Sequence, residues 1–205
     1  GLHIAKKLNE MHIQVLGVDS DENMVKAALP YVTNAEIGDA GNQEFLKSLG
    51  VSNFDVCIVA IGNDFLASLE VTSYLKELGA KKVVSRAARD LQEKFLLRNG
   101  ADVVVYPEKL VGNLTAVQCS SESVLDYIQV SRDFAVFEIA LPEDWIGKSI
   151  GEIDVRKKYM VNIIAVKNQD TVNVTLGPSY CFQEGESLFV IGKDKDIQKC
   201  FHILT

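Results

Sequence analysis

The fold is decided by the stretch from Val56 to Arg86, which reads VCIVAIGNDFLASLEVTSYLKELGAKKVVSR. It begins with an uninterrupted apolar run at residues 56–61, which is too short for a helix and is typical of a strand buried on both faces. A helical pattern follows at residues 65–78 and stops at Gly79, the residue type that most often ends a helix. A second apolar strand is predicted at residues 82–85. A strand, a helix and a strand in this order form a βαβ unit, which requires a parallel sheet.

The same alternation extends from the N terminus to about residue 120. Further helices are predicted at residues 2–10, 43–49, 91–99 and 110–121, together with one that Ser20 caps and that ends at Pro30. Further short strands are predicted at residues 15–18, 35–37 and 102–106. We therefore predict a Rossmann-like, doubly wound α/β domain over residues 1–121, with a parallel sheet covered by helices on both faces.

The pattern changes after residue 121. Strands are predicted at residues 134–139, 162–167, 171–176 and 187–191, with a short helical piece after Ser149 and a terminal helix that carries Ile197 and Phe201. The polar turn at residues 168–170 indicates antiparallel pairing. We predict a smaller α+β domain over residues 122–205. Its core is limited, so dimerisation is a natural way to stabilise it.

Composition and charge exclude several classes of protein. Of the 205 residues, 47% are hydrophobic and 24% are charged, which is typical of a globular protein. The net charge of −7 argues against nucleic-acid binding, because nucleic-acid-binding proteins carry a basic surface. No apolar run approaches the roughly 18 residues that cross a bilayer, and the chain opens on helical periodicity rather than a signal peptide. The four cysteines form no metal-binding pair, so we expect a reducing cytosol.

A nucleotide site is predicted where the first strand ends. Asp19 follows that strand 18 residues after Gly1, about where a dinucleotide fold places the acid that binds ribose hydroxyls. The alternative is that Asp19 only caps the next helix. A glycine-rich GxGxxG loop should precede the helix at residues 2–10, and Gly1 fits its last glycine. We expect the preceding strand and the first two glycines to lie outside these 205 residues.

Short motifs in a fixed order resemble a known family. In the first domain they are Asp19, IGDA at residues 37–40, VAIG at 59–62, and GAD at 100–102 followed by Pro107-Glu108. In the second they are WIGKSI at residues 145–150, Val155-Arg156, NIIAV at 162–166 and Gly185-Glu186. This ordered set resembles the RCK domains, which regulate potassium conductance in Trk- and Ktr-type uptake systems. The likeness covers essentially the whole chain and is closest to the Ktr gating subunit.

The resemblance implies a cytoplasmic regulatory subunit and not an enzyme. Such subunits form homodimers that assemble into an octameric ring, and the ring docks on a membrane potassium channel at the inner face of the membrane. An adenine nucleotide, either ATP, ADP or NAD(H), would bind the first domain. The residues implied for this site are Gly1, Asp19, Ser20, Gly38, Asp39, Ala40, Ile61, Gly62, Asn63 and Arg86. Asp19 would hold the ribose, Asp39 and Ala40 would lie near the adenine, and Arg86 would reach a phosphate.

Two further sites are implied by the same resemblance. Glu108 would help to bind Mg²⁺ or Ca²⁺ at a dimer contact near the phosphates; alternatively, it is an acid favoured in the first turn of a helix. Cyclic di-AMP would bind the second domain. The positions implied for this ligand are Ile150, Arg156, Asn162, Ile163 and Pro178. Gly151 departs from the family, which often has a bulky apolar residue there, and Ile163 is equally a core residue of its strand.

Other functions remain open. An NAD-dependent oxidoreductase would need a proton donor near the nicotinamide, yet His3, His12 and His202 fall at no central strand end. A transcription factor would need a helix-turn-helix and a basic face, and the sequence indicates neither. An RCK regulator of a different cation transporter, such as a cation/proton antiporter, fits the motifs as well as a potassium-uptake regulator does.

Overall fold

The computed structural model describes residues 1–62, 64–131 and 133–203. The chain forms two compact units, Gly1–Lys109 and Leu110–Thr205. The boundary expected from the sequence, between residues 121 and 122, falls just after the helix that spans this division, and it stays a prediction. None of the described helices is both long enough and apolar enough to cross a membrane.

The first unit alternates helices with short strands, in the predicted order. Its helices are α1 (Leu2–Glu10), α2 (Glu22–Ala28), α3 (Gln43–Ser48), α4 (Phe65–Glu77) and α5 (Asp90–Arg98). Its strands are β1 (Leu16–Asp19), β2 (Asn34–Ile37), β3 (Cys57–Val59), β4 (Val83–Arg86) and β5 (Val103–Val105). Helix α6 (Pro107–Cys119) begins in this unit and ends in the second. Gly79 and Gly100 follow α4 and α5 with φ of +84° and +104°, as expected of glycines that end helices.

The strands of this unit pair in parallel, as predicted. β1 pairs with β2, and β3, β4 and β5 form a second group with β4 at its centre. Parallel pairing brings the carboxyl ends of neighbouring strands to one edge. Asp19 therefore lies beside Ile37, and Arg86 lies beside Val105. These two edges position the predicted site residues.

The apolar run at residues 56–61 is less buried than the sequence predicts. Only Cys57–Val59 form a strand, and within it Val59 is 3% exposed whereas Ile58 is 41% exposed. The side chains of neighbouring strand residues point to opposite faces. The Val59 face of β3 packs against a core that includes Val71 of α4 and Val83 of β4. The Ile58 face is open in the single chain.

Two helix starts also differ from the predictions. Asp21, rather than Ser20, caps α2, and its carboxylate accepts a hydrogen bond from the backbone N–H of Asn23 at 2.8 Å. Helix α6 begins at Pro107, three positions before the predicted start. Proline suits the first position of a helix because its φ is already helical and it has no N–H to leave unpaired. Glu108 therefore lies in the first turn of α6.

The second unit is built on one antiparallel sheet with the strand order β6-β7-β10-β8-β9. Its strands are β6 (Val124–Gln129), β7 (Phe134–Ala140), β8 (Asn162–Asn168), β9 (Thr171–Asn173) and β10 (Glu186–Lys193). Its further helices are α7 (Ile150–Ile153), α8 (Val155–Tyr159) and α9 (Asp194–Cys200). The predicted antiparallel pairing and the α+β character of this unit are confirmed.

Strand β6 was not predicted from the sequence. Asp126 interrupts its apolar alternation, and the register against β7 shifts between Val124 and Asp126. Pairing with β7 stabilises the strand, and Tyr127 packs edge-on against Phe137 at a ring-centroid distance of 4.9 Å. The core of this unit lies on that face of the sheet. Its fully buried members include Phe137, Ile139, Leu188, Val190 and Ile197.

Candidate functional site

Asp19 lies where the carboxyl ends of β1 and β2 meet. Its backbone carbonyl accepts a hydrogen bond from the N–H of Gly38 at 3.0 Å, which joins the two strand ends. Its carboxylate accepts from the N–H of Asp21 at 3.0 Å, and the residue is exposed. The N-cap of α2 is Asp21 and not Asp19. Asp19 instead shapes the turn before α2 and presents its carboxylate at the strand edge.

The turn after β2 is fixed by close contacts. A Cβ on Gly38 would overlap the ring of Phe45, so only glycine leaves room for that ring. The carboxylate of Asp39 accepts a hydrogen bond from the N–H of Gly41 at 2.8 Å. Ala40 packs at the edge of the core under α4. The structure therefore places Gly38, Asp39 and Ala40 together beside Asp19.

Gly1 lies near the end of β3. A Cβ on Gly1 would be 3.6 Å from the Cβ of Ala60. Its carbonyl accepts hydrogen bonds from the N–H groups of Ile4 and Ala5 near the start of α1, and no described side chain caps that helix. Ser20 is exposed beside Asp19. Both predicted residues thus lie in the first unit next to strand ends.

Arg86 is the last residue of β4, and its guanidinium lies directly over Gly62. A Cβ on Gly62 would overlap Nη1 of Arg86, so glycine allows the guanidinium to approach the backbone after β3. Ile61 packs at the edge of the neighbouring core. The structure therefore brings Ile61, Gly62 and Arg86 together. Asn63, also predicted for this site, lies outside the described residues.

Glu108 contacts Arg86 from the first turn of α6. Nη2 of Arg86 donates a hydrogen bond to Oε1 of Glu108. A hydrogen bond from its own backbone N–H, together with the Arg86 guanidinium, holds the pKa of the Glu108 carboxyl below its usual value. The side chains are 36% and 52% exposed, so solvent screens the ion pair and it contributes little to stability. Its effect is to position Arg86.

Cation binding by Glu108 stays a prediction. The described residues contain no group of three or more His, Cys, Asp or Glu side chains that could hold a metal ion. One carboxylate oxygen of Glu108 already accepts from a guanidinium, and that positive charge would repel a divalent cation. A cation at this position would therefore require both the release of Arg86 and further oxygen ligands.

A small pocket beside Arg86 contains polar residues that the sequence did not indicate. We call it the Ser68 pocket, and the residues that define it are Ile61, Gly62, Phe65, Ser68, Arg86, Ala87, Ala88 and Gln92. Ser68 lies in the first turn of α4 and Gln92 in the first turn of α5. In the sequence Ser68 is one polar position in an otherwise ordinary helical pattern. Only its burial against β4, at 1% exposure, distinguishes it.

The positions implied for cyclic di-AMP fall in the second unit. The first turn of α7 lies against the loop before β10, where the N–H of Ile150 donates to the carbonyl of Tyr180 at 3.0 Å. The N–H of Gly151 donates to the carbonyl of Pro178 at 2.8 Å, and a Cβ on Gly151 would be 3.0 Å from that oxygen. The structure thus brings Ile150 and Pro178 together. It also explains the departure at Gly151, because the missing side chain lets the Pro178 loop approach.

The other three positions lie on α8 and β8, which contact each other. Arg156 is exposed on α8, and Asn162 is exposed at the start of β8. Ile163 lies opposite Val190 and is partly buried against the core of the unit, which favours its interpretation as a core residue. No described contact tests whether the three positions share a ligand with Ile150.

A second cleft, of about 430 Å³, lies at one end of the antiparallel sheet and contains two buried carboxylates. Glu138 accepts hydrogen bonds from Lys167 at 3.1 Å and from Ser187 at 2.7 Å. Glu186 accepts from the Tyr180 hydroxyl at 2.5 Å and also from a backbone N–H. Both carboxylates are thus paired within the unit, which gives them a structural role.

Comparison with protein families identifies the first part of the chain. Residues 1–107, more than half of the sequence, match the family described as TrkA-N domain. The chain belongs to the TrkA-N family. Its residues 135–205 match the family described as TrkA-C domain. The RCK resemblance indicated by the sequence motifs is confirmed.

Two curated relatives of this TrkA-N protein come from Bacillus subtilis (strain 168). They are Ktr system potassium uptake protein C and Ktr system potassium uptake protein A. Each is 36% identical to this chain over 199 residues, a match that covers 97% of the chain and 90% of the relative.

Among solved structures, this TrkA-N protein is similar to a channel described as GsuK channel bound to NAD. The TM-score is 0.68, with 15% sequence identity, and the match covers 98% of this chain. This chain spans only 37% of the length of the channel's chain. At such low identity the likeness establishes the fold alone, a Rossmann-like unit followed by a smaller one.

Proposed function

We propose that this chain is the regulatory subunit of a bacterial potassium-uptake system and that adenine nucleotide controls it. The observation that carries the proposal is the 36% identity, across 97% of the chain, to two Ktr potassium uptake proteins. Identity at this level over both units supports a shared role rather than a shared fold alone. The identity supports potassium uptake over the two alternatives, an oxidoreductase and a regulator of another cation transporter.

The strand-end residues of the first unit fit an adenine nucleotide, either ATP, ADP or NAD(H). Asp19 presents a carboxylate at the edge where a ribose binds in this fold. Gly38 to Ala40 form a fixed turn beside it, against which the adenine packs. Arg86 supplies a guanidinium at the neighbouring strand edge, suited to a phosphate. The nucleotide thus spans the carboxyl ends of β1 to β4.

The subunit acts as a homodimer that assembles into an octameric ring, docks on a membrane potassium channel and stays at the cytoplasmic face. The exposed apolar residues of α6 support contact with another protomer: Leu110 is 61% exposed and Val111 is 60% exposed. Solvent-facing apolar side chains side by side on one helix favour burial against a partner. The chain regulates and does not catalyse.

Regulation requires that the nucleotide bind two conformations of the ring with different affinity. Coupling between ligand and conformation is typically about 1–3 kcal/mol per site. Moving a two-state equilibrium from 1:99 to 99:1 takes about 5.5 kcal/mol. Several sites of one ring acting together therefore suffice, whereas a single site does not.

Cyclic di-AMP is a second ligand in this proposal, bound by the second unit. The contact between the first turn of α7 and the Pro178 loop places two apolar side chains, Ile150 and Pro178, where an adenine could stack. The exposed guanidinium of Arg156 suits a phosphate of the same ligand. A divalent cation at Glu108 enters the proposal only if Arg86 leaves that carboxylate.

Potassium uptake tests the proposal directly. The full chain is co-expressed with a Ktr membrane subunit in cells that lack their own uptake systems, and growth is measured at limiting potassium. We expect growth with the wild-type chain and reduced growth with Asp19→Ala. The matched control is Asp55→Ala, which removes a carboxylate that is 93% exposed, pairs with Lys81 and precedes β3 rather than following a strand. Equal growth with and without the wild-type chain would contradict the regulatory role.

A second assay separates the alternatives. Purified protein is titrated with ATP, ADP and NADH, and NADH oxidation is followed in the presence of small carbonyl substrates. We expect binding without turnover, weakened by Asp19→Ala. Steady consumption of NADH would instead favour the oxidoreductase. Recovery of cation/proton exchange, but not of potassium uptake, would favour a regulator of a different transporter.

A further inference from the structure

The Ser68 pocket contains a buried hydroxyl that is not satisfied. Ser68 is 1% exposed, and its Oγ has no hydrogen-bond partner among residues 1–62, 64–131 and 133–203. Leaving such a group unpaired costs about 1–3 kcal/mol. The next hydroxyl on the same face of α4 is paired, because Oγ1 of Thr72 donates to the Ser68 carbonyl at 2.7 Å and lies 2.8 Å from Oγ of Ser85. Of these two hydroxyls on one face of α4, only that of Ser68 lacks a partner among the described residues.

Gln92 contributes a donor to the same pocket. Its Oε1 accepts a hydrogen bond from the N–H of Ala88 at 2.8 Å. Only the oxygen of the amide can accept that bond, so the orientation of the amide is determined. Its other arm is then an NH₂ group, which can only donate. Gln92 thus joins Ser68 as a polar group at this site.

Arg86 brings positive charge to the pocket. Nη2 contacts Glu108, while Nη1 lies over Gly62 on the pocket side. A guanidinium donates and never accepts. The three polar side chains therefore offer a hydroxyl, an amide NH₂ and a guanidinium. That set suits an oxygen with negative charge and is poor for a cation.

The size of the pocket limits what enters it. Its volume is about 10 Å³, enough for one oxygen-sized atom. The remaining walls come mainly from apolar residues, which are Ile61, Phe65, Ala87 and Ala88. A whole base or sugar does not fit, but one terminal oxygen of a larger group does.

We propose that the Ser68 pocket binds one oxygen of a nucleotide phosphate beyond the α-phosphate. The choice of a nucleotide rests on the function proposed above. In this fold the nucleotide extends from the ribose-binding acid, Asp19, toward the neighbouring strand ends, where the pocket lies. Ser68 and Gln92 thereby favour nucleoside diphosphates and triphosphates over monophosphates. The diphosphate of a dinucleotide carries the same chemistry.

Calorimetric titration of the full chain with AMP, ADP, ATP and NADH tests this assignment on Ser68→Ala. Ser73→Ala is the matched control, because Ser73 lies on the same helix but is bonded to Glu77 at the surface. Loss of one hydrogen bond to a charged group lowers affinity by roughly tenfold. We expect that loss for ADP and ATP, no change for AMP, and no loss of thermal stability without ligand. If NADH affinity falls equally, the oxygen in the pocket belongs to a bridging diphosphate. If NADH affinity is unchanged, it belongs to a terminal phosphate.

Unchanged ADP, ATP and NADH affinities in Ser68→Ala would overturn the assignment, and the pocket would then hold a buried water only. Binding of these nucleotides to the wild type would still support the proposed function. If the wild type binds none of these nucleotides, the proposal of nucleotide control is contradicted. The pocket is then tested by titrating the wild type and Ser68→Ala with inorganic pyrophosphate. If the wild type binds pyrophosphate and Ser68→Ala does not, the pocket is an oxyanion site. If the wild type does not bind pyrophosphate, or Ser68→Ala binds it equally well, that assignment is rejected.

Discussion

The guanidinium of Arg86 contacts the carboxylate of Glu108, although the two residues are 22 positions apart in the chain. Arg86 ends β4, and Glu108 lies in the first turn of α6, the helix that continues into the second unit. The pair therefore links the predicted phosphate-binding residue to the start of that helix. A phosphate bound by Arg86 would compete with Glu108 for the guanidinium, and such binding would then be coupled to the contact between Arg86 and this end of the helix.

Removing the charge of Glu108 should release Arg86 for the ligand. In Glu108→Gln we expect ADP affinity without divalent cations to rise by about two- to fivefold, because a charged competitor is lost. Titration calorimetry at low salt, with a chelator present to remove divalent cations, measures this ADP affinity. Glu44→Gln, the same change in the first turn of α3, is the control. A fall in affinity that magnesium accentuates would instead support the predicted cation site.

Adding a methyl group at Gly62 should displace Arg86 without harming the fold. The new Cβ overlaps Nη1, the end of a flexible side chain that can move away. Loss of a charge-assisted hydrogen bond predicts about a tenfold weaker ADP affinity in Gly62→Ala. Adenosine affinity and the melting temperature should stay as in the wild type. Gly112→Ala is the control, because nothing lies within 4 Å of its Cβ, and equal ADP affinities in the two variants would contradict the contact.

The turn after β2 should tolerate an added methyl group at Gly38 far less well than Gly62 does. In Gly38→Ala the Cβ meets the ring of Phe45, which lies against this backbone. Overpacking of this kind costs about 1–3 kcal/mol of unfolding free energy, measured by urea denaturation. The double variant with Phe45→Leu should recover part of the loss. Full stability of Gly38→Ala alone would show that the ring moves without cost.

The Tyr180 phenol should ionise at a higher pH than the phenol of an exposed tyrosine. Burial and the hydrogen bond to Glu186 raise the pKa of Tyr180 to about 12, from an ordinary value near 10. Because the pKa of Tyr180 is higher in the folded than in the unfolded state, its contribution to stability is complete below the unfolded pKa. That contribution is lost as the pH rises through the folded pKa. Stability should therefore fall between about pH 10 and pH 12.

Absorbance of the phenolate during alkaline titration measures this effect. The chain has six tyrosines, and the ionisation step at the highest pH should disappear in Tyr180→Phe. Tyr74→Phe, in α4 of the other unit, is the control. A late step that survives in Tyr180→Phe would assign it to a different tyrosine.

Much of the fold follows from local pattern. The strand, helix and strand between Val56 and Arg86 appear in the predicted order, because apolar periodicity reflects which faces a segment buries. The position of Asp19 was predictable for a similar reason, since it directly follows an apolar strand. Strand β6 was not predictable, because Asp126 interrupts its pattern and pairing with β7 stabilises it. The cap of α2 was misplaced by one residue, since Ser20 and Asp21 are both good caps.

The sequence by itself determined the order of the elements in the first unit, the two-part organisation, the family and the strand-end positions of Asp19 and Arg86. These depend on residues close together in the chain. The tertiary structure alone decided which side chains meet. The contacts of Arg86 with Glu108 and of Gly38 with Phe45, and the burial of Ser68 beside β4, exist only once strands and helices pack. Packing joins residues that are distant in sequence, and no local pattern encodes the distance between two such side chains.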